Sequence, residues 1–402
     1  VSGIRRSTIY AYPWDVADAS AADTIAAIGA DSVTIAAAYH AVRAVAPRHS
    51  TRRVIDSDRS RLFSPWRGDV WRGQPLHPGR GADVTGVEDS FGAARDLLAE
   101  RGVKVRAWIV MSHVDGLDAP LGLFRQNALG EISRHALCPS QPAVRAYGNR
   151  LIREVVETTG TDDVVLESVG PMGLHHAAMH DKVRMPLLSE TMGAALSFCF
   201  CAGCCDCLRR HKIDAERFRT QLRRSILTGD EEQLTIQLEE PVVREHVRSV
   251  SATASVDAVG AAFESGARTI TLHATAEDTS GGPAVGIGPR LLPAIARAAG
   301  TASLRFVTSG WDGAAAGARR LRALRAAAPD QEIGAYVTVL DASALGSSAE
   351  DLATGWGVLA DAGAQELHVY HAGLAPPSVL RPLGRALHHI RSPSGSTTST
   401  RK

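Results

Sequence analysis

The chain has 402 residues, 45% hydrophobic and 22% charged, with a formal net charge of +1. That length can bury a large core, and so balanced a charge gives no bulk attraction to nucleic acid or an anionic membrane. No apolar run approaches the roughly 18 residues of a membrane span, and Val1 opens no apolar leader, so the expectation is a cytoplasmic protein without nucleic-acid or membrane partners.

Short apolar runs alternate with Ala-rich helical patterns from end to end. Thr8 to Tyr12 reads as the first strand, Ala21 to Ile28 as a helix stopped at Gly29, and Ser32 to Ala37 as the second strand. Residues 41 to 88 break the pattern: Arg, Pro, Gly and Asp dominate, with Trp66 and Trp71 among them. A connection that long is a functional loop or excursion. Asp89 to Arg101 predicts a helix stopped at Gly102, and Lys104 to Met111 the third strand. Leu137 to Arg145 is a helix start, with two prolines and a serine ahead of Val144, Leu151, Ile152, Val155 and Val156 at helical spacing. Gly160 stops it, and Asp163 to Ser168 follows as the fourth strand. Its run Val164-Val165-Leu166 is that of a strand buried on both faces. Glu167 ends the run, where a carboxylate is costly unless it has partners or a job.

Residues 169 to 250 form a second excursion, holding His175, His176, His180, five cysteines and a charged helix from Asp214 to Leu227. Ser249 to Val256 is a weaker candidate strand. Thr269 to His273, Ser303 to Thr308, Ile333 to Leu340 and Glu366 to Tyr370 complete the count, and residues 392–402 read as a disordered tail. Eight clear strands in alternation with helices argue for parallel pairing with the helices outside. No Gly-x-Gly-x-x-Gly follows the first strand. The expected fold is α/β: one (β/α)8 TIM barrel over residues 1–391, with long loop excursions and a cysteine-rich zinc-binding insertion after strand four.

The cysteines carry the sharpest local signal. Cys199-Phe-Cys201-Ala-Gly-Cys204-Cys205-Asp-Cys207 contains C-x-C-x-x-C, a spacing that suits a tetrahedral soft-ligand site, most simply structural zinc. Cys199, Cys201 and Cys204 are the expected ligands, with Cys138 as the fourth or, after it, Cys207. Disulfides or free thiols are the alternative, although a chain this large does not need stapling.

In such a barrel the chemistry collects at the C-terminal strand ends. Those ends carry Trp14 and Asp15, Tyr39 and His40, His113 and Asp115, Glu167, His273 with Glu277 and Asp278, Trp311 and Asp312, Asp341, and Tyr370 with His371. Any one of them has a bland reading: Asp15 or Asp312 as a helix cap, His273 as a core imidazole. Their recurrence at every strand end is what points to a site. Glycoside hydrolysis needs two carboxyl groups flanking the bond; Glu167 is the acid/base candidate and Asp341 the second carboxylate, with Asp15 and Asp312 behind it. Trp66, Trp71 and Trp311 can stack on a sugar face or simply anchor loops. A metal-assisted reaction would draw on His40, His113, Glu167 and His273, but no HxH or HExxH spacing supports it.

The stretch Cys138-Pro-Ser-Gln-Pro-Ala-Val-Arg, followed by a helix and Asp-Val-Val-Leu-Glu167, resembles bacterial glycoside-hydrolase-like TIM-barrel proteins. The C-x-C-x-x-C after the fourth strand, with a cysteine after the third, is similar to the zinc cluster of some β-galactosidases of the glycoside hydrolase A clan. Leu367 to Leu374 resembles the last strand of these barrels. The resemblance implies that Glu167 is the acid/base at the end of strand four. Two departures stand against it: the clan's Asn before that Glu is Leu166 here, and the clan's Glu at the end of strand seven is Asp341. A sugar-active enzyme, most simply a glycosidase, is therefore the leading expectation. A non-catalytic carbohydrate-binding barrel and a metal-dependent isomerase or hydrolase remain beside it.

Overall fold

Each apolar run is buried on both faces, which requires helices on one side and a filled interior on the other. The computed structural model describes residues 3–79, 83–174, 189–276, 287–340 and 347–391. In it the runs form β1 (Arg6–Ala11), β2 (Ser32–Tyr39), β3 (Lys104–Val110), β4 (Asp163–Glu167), β5 (Thr269–His273), β6 (Ser303–Ser309), β7 (Glu332–Thr338) and β8 (Glu366–Tyr370). Every neighbouring pair is parallel, and β1 pairs with both β8 and β2, so the sheet closes into the expected (β/α)8 barrel.

After the strands come α1 (Ala19–Ala26), α2 (Ser90–Ala99), α3 (Pro142–Thr159), α4 (Pro241–Glu264), α5 (Leu292–Ala298), α6 (Ala314–Ala327), α7 (Ala349–Asp361) and α8 (Pro377–Arg391). Their ends follow local chemistry. Asp18 and Asp89 cap α1 and α2 by accepting backbone N–H bonds from Ala21 and Gly92. Pro142 opens α3, and Gly160 closes it at φ 64°, a conformation glycine adopts without cost.

One expectation fails. Ser249 to Val256, taken as a weak strand, lies inside α4. Val250, Ser251, Ala254, Ser255, Ala258 and Val259 form a buried stripe at helical spacing, and tertiary burial overrides the strand preference of Val250 and Val256.

The first excursion holds an antiparallel hairpin of Val42–Val45 with Val54–Ser57, and Arg61–Leu62 pairs antiparallel with β2. A further hairpin, Phe124–Gln126 with Ile132–Leu137, precedes α3. The excursion after β4 carries helices Glu190–Ser197, Ala202–Arg210, Ala215–Thr228 and Glu231–Glu239. Phe198, Phe200, Phe218, Leu222 and Leu234 give it a small core of its own. His175, His176 and His180 lie outside the described residues, as does the 392–402 tail.

Side chains two apart on a strand share a face, so Glu366–His368–Tyr370, Arg106–Trp108 and Asp163–Val165–Glu167 climb the barrel interior. The N-terminal end of the interior is charged: Arg106 pairs with Glu366 at 2.6 Å and Asp163 at 3.2 Å, and Arg305 pairs with Glu332 at 2.8 Å. Above it Thr8 and Thr34 share a hydrogen bond of 2.7 Å, and the Tyr10 hydroxyl meets His368 Nδ1 at 3.0 Å. The C-terminal end is aromatic.

Candidate active site

Glu167, His113 and Tyr370 stand on one rim, at the C-terminal ends of β4, β3 and β8. Glu167 is 8% exposed, and its Oε2 accepts a 2.8 Å bond from the indole N–H of Trp108. His273 Nε2 lies 3.9 Å from the same oxygen. From there a ring of contacts closes. His273 packs edge-on against Tyr336 at 4.9 Å, Tyr336 meets Tyr370 at 5.8 Å, and Tyr370 meets Trp108 at 6.2 Å. Tyr10 lies beneath, in contact with Trp108 at 4.9 Å and Tyr336 at 5.1 Å. Trp311, 41% exposed, lies 5.4 Å from Tyr336 and 5.1 Å from Tyr370 on the solvent side.

Tyr12, Tyr39 and Tyr370 share hydrogen bonds through their side chains. Burial raises the pKa of all three phenols, and the negative charge of Glu167 adds to the effect at Tyr39 and Tyr370. They are neutral donors at physiological pH. His371 sits behind them, fully buried, 4.4 Å from Tyr12 and 4.9 Å from Tyr370. Burial pushes it down to about 3, so it is a neutral backing group rather than a cation facing the site.

Asp15 accepts the Tyr12 backbone N–H at 2.8 Å and is pressed against Gly373, where a Cβ would fall 1.7 Å from its Oδ2. Burial pushes its carboxyl up to about 7 from 3.8, against the Tyr12 bond and the Arg48 charge. A raised folded value favours the protonated form, so its contribution to stability is complete below about pH 3.8 and lost as pH rises through about 7. Asp15→Asn, fixed neutral, is therefore expected to gain on the parent across that window. The gain approaches roughly 4 kcal/mol at most, at about 1.4 kcal/mol per pKa unit. Urea midpoints of both proteins at pH 4 and pH 8 measure it; a constant difference would place Asp15 in solvent.

A second polar group lies beside this ring. His40 and His113 stack at 3.9 Å, and their donor atoms and an Asp115 oxygen all lie within 4.8 Å of one another. His40 Nδ1 is 2.6 Å from the Ala41 carbonyl oxygen and 3.6 Å from Asp115 Oδ2. Asp115 also accepts the Ala41 N–H at 3.0 Å and bonds His135 Nδ1. Burial opposes ionisation of Asp115, but the bonds from His40 and His135 outweigh it and hold its pKa low. The donor types suit a divalent cation. The face-to-face imidazoles and the occupied carboxylate suit it poorly, because parallel rings do not aim their lone pairs at one point.

The expected residues divide. Glu167, His273, Tyr39, Tyr370 and Trp311 converge on or beside the ring, with Asp15 and His371 behind it and His40 and His113 to one side. Trp66 and Trp71 do not join them. Trp71 is 1% exposed, stacked on Trp66 at 5.5 Å and packed on Tyr147 of α3 at 5.9 Å. Arg67, next to Trp66, donates its backbone N–H and Nε to buried Glu154 of α3 at 2.7 and 2.9 Å. The excursion is thus fastened to the outside of the barrel, and its tryptophans anchor it. Asp312 is ion-paired with Arg320 of α6. Asp341, Glu277 and Asp278 lie outside the described residues. Tyr10, Trp108 and Tyr336 were not anticipated; their signal was an aromatic at an inward-facing strand position.

The cysteines divide as well. The sulfurs of Cys138, Cys199, Cys201 and Cys204 lie within 4.8 Å of one another. Cys138 is 3.5 Å from Cys204 and 3.7 Å from Cys199, too far for a disulfide, whose sulfurs sit about 2.05 Å apart. The backbone N–H groups of Gln126 and Cys201 each approach Cys199 Sγ at 3.5 Å, and Ser140 Oγ approaches Cys138 and Cys201 at 3.1 and 3.4 Å. Such donors stabilise thiolates. Cys207 faces away, 3.4 Å from Ser249 Oγ, and Cys205 bonds the Phe200 carbonyl oxygen at 3.3 Å.

No family model matches the chain, and no curated protein does. Solved structures similar to it include a D-allulose 3-epimerase from Methylomonas sp., 13% identical, with 97% of this chain and 99% of that one covered and a TM-score of 0.41. A chitinase from Chromobacterium violaceum is 11% identical over 95% and 99%, with a TM-score of 0.44. The Bacillus cereus spore cortex-lytic enzyme is 9% identical over 96% and 75%, with a TM-score of 0.43. At these values the similarities carry no argument about what this chain does.

Proposed function

We propose that the chain is a sugar-active enzyme, a glycoside hydrolase whose general acid/base is Glu167. The observation that carries this reading is the ring Trp108–Tyr370–Tyr336–His273–Glu167, which sets one nearly buried carboxyl among aromatic walls at the end of a barrel where reactive groups gather. Glu167 would protonate the leaving oxygen, Trp108 would hold its carboxyl in place, and the hydroxyls of Tyr12, Tyr39 and Tyr370 would bind those of the sugar. Exposed Trp311 offers a stacking face at the mouth. The second carboxylate of this proposal is Asp341. The test is release of sugar from a panel of glycosides by the purified chain. Saturable sugar binding without turnover would favour a non-catalytic carbohydrate-binding barrel. The other reading, a metal-dependent isomerase or hydrolase, would require turnover to depend on an added divalent ion; the donor types of His40, His113 and Asp115 suit one, and their stacked geometry counts against it.

We infer further that Cys138, Cys199, Cys201 and Cys204 bind one structural zinc ion. Sulfurs about 2.3 Å from a tetrahedral zinc lie about 3.8 Å from one another, and the two measured separations, 3.5 and 3.7 Å, are close to that. Four sulfur ligands leave no open position, so the ion would brace the hairpin, the start of α3 and the helical excursion rather than act on substrate. Metal analysis is expected to find about one zinc per chain, and Cys201→Ser to lose it and melt at a lower temperature. Zinc-free protein with the same melting temperature would defeat this.

A further inference from the structure

We propose that Ser168 is the positioning residue of Glu167: its left-handed turn ends β4 and locks the Glu167 carboxyl against Trp108. The proposal rests on the sugar-active reading above for what Glu167 does, and adds the residue that holds Glu167 in place.

Ser168 carries two local costs that another residue would avoid. Its φ is 57°, in the left-handed region where a side chain crowds the backbone. Among the described residues one other non-glycine takes a positive φ, Lys212, and helix chemistry explains it. Lys212 follows the helix Ala202–Arg210, and the N–H groups of Lys212 and Ile213 close that helix on the carbonyls of Arg209 and Leu208. Ser168 ends a strand and closes no helix. At twelve other described positions the chain meets a positive φ with glycine, which adopts it without strain. The second cost is the hydroxyl. Ser168 is 1% exposed, and its Oγ has no hydrogen-bond partner among the described residues, so a buried polar group is left unpaired. Glycine would remove both costs. Strain kept against so simple an alternative is characteristic of places where function uses a fixed geometry.

The surrounding fold holds the turn in place. The Glu167 carbonyl oxygen accepts the Met111 N–H at 3.1 Å, and the Ser168 carbonyl oxygen accepts the Ser112 N–H at 2.8 Å. Ser112 is fixed in turn, its own carbonyl oxygen accepting the Leu137 N–H at 2.9 Å from the hairpin before α3. Two consecutive carbonyls of the β4 end are thus tied to the residues that follow β3. The same strand β3 carries Trp108, whose indole N–H meets Glu167 Oε2 at 2.8 Å. Backbone and side chain of Glu167 are both referred to β3, and Ser168 is the joint between them and the chain that follows. A side chain at that joint excludes most of the backbone conformations open to glycine. The peptide between residues 167 and 168 is therefore kept from swinging, and with it the direction of the Glu167 side chain.

The experiment follows the Trp108 indole N–H of the intact chain by nuclear magnetic resonance, which reports its bond to Glu167 without any substrate, together with melting temperature and turnover. Ser168→Ala keeps the restriction of a side chain and removes only the unpaired oxygen. It is expected to melt no lower than the parent and to leave the indole signal and turnover unchanged. Ser168→Gly is expected to fold, since glycine accepts the left-handed region, and circular dichroism checks this. Its indole signal is expected to move towards that of Glu167→Ala, in which the acceptor is gone. Its kcat is expected to fall by between about 10- and 10²-fold with KM little changed, the scale of a misplacement of about 1 Å. An unchanged indole signal in Ser168→Gly overturns the proposal and leaves Ser168 a structural turn. Equal movement in the Ala and Gly variants places the effect in the hydroxyl and overturns the backbone assignment. A Ser168→Gly chain that does not fold overturns it as well, because Ser168 would then hold the barrel and not the carboxyl. Absence of turnover by the parent on every glycoside defeats the sugar reading alone, and the indole signal still decides the role of Ser168.

Discussion

Glu167→Gln is expected to fold normally and to lose about 10²- to 10⁴-fold in turnover, the usual contribution of a positioned general acid/base. Gln keeps the shape of Glu and retains a side-chain oxygen to accept the Trp108 N–H, which now bonds Oε2 at 2.8 Å. It cannot supply a proton to a leaving oxygen. The loss should therefore be largest for unactivated glycosides and smallest for nitrophenyl glycosides, whose leaving groups need little protonation. The opposing reading makes Glu167 a structural ion-pair partner, a role that Gln cannot keep. That reading predicts a lower melting temperature with nearly normal turnover per folded molecule. Melting temperature and turnover of the one variant separate the two. Unchanged turnover on an unactivated substrate would remove Glu167 from the mechanism.

Arg106→Met is expected to cost about 3–5 kcal/mol of stability, the range for removing one partner of a buried ion pair. Arg106 is 4% exposed and Glu366 2%. Without the guanidinium, Glu366 and Asp163 would face each other through a dry interior, with Arg305 and Arg6 the arginines still paired with Glu366. Burial opposes ionisation of Glu366, and His368, Arg106 and Arg305 together hold its pKa well below the usual carboxylate range. Burial keeps His368 itself neutral, so at neutral pH the two arginines carry that effect. A lowered folded value means that the stabilisation is present above the unfolded value of about 4.3 and is lost as pH falls below it. The parent should accordingly lose stability below about pH 4.3 more steeply than Glu366→Gln does. Denaturant unfolding of all three proteins at pH 7 and pH 3.5 gives both numbers. A cost under about 1 kcal/mol for Arg106→Met would mean that water reaches the network, since that is the range of exposed pairs.

The two variants probe opposite ends of one interior. The charged end ties β3, β4, β6 and β8 together, while the aromatic end sets Glu167 among its walls. Tyr10 and His368 join the two ends through a 3.0 Å bond.

Strand number and the limits of α1, α2, α3 and the helix Ala215–Thr228 were legible in the sequence because the interactions that set them are local. Asp18 and Asp89 bond backbone groups three residues on, and Gly160 turns the chain at a single residue. The apolar runs of β3, β4 and β5 needed only their own composition to be read. The cysteine spacing was legible for the same reason, since three of the four clustered sulfurs lie within six residues. The reading failed at Ser249 to Val256, where β-branched residues packed along a helix face look locally like a strand.

Tertiary structure decided which of many rim groups meet. Trp108 and Glu167 are 59 positions apart, and they touch because β3 and β4 are neighbours in a register that sets Val110 beside Glu167. Nothing local distinguished Trp71 from Trp311, each a loop tryptophan near an aspartate. Packing on Tyr147 and the Arg67–Glu154 bonds bury the first on the outside of the barrel, while the second stays exposed over the aromatic ring. A single sequence records what each residue prefers. Barrel closure and stagger choose the neighbours, because side chains distant along the chain act on one another only once the sheet has brought them within reach.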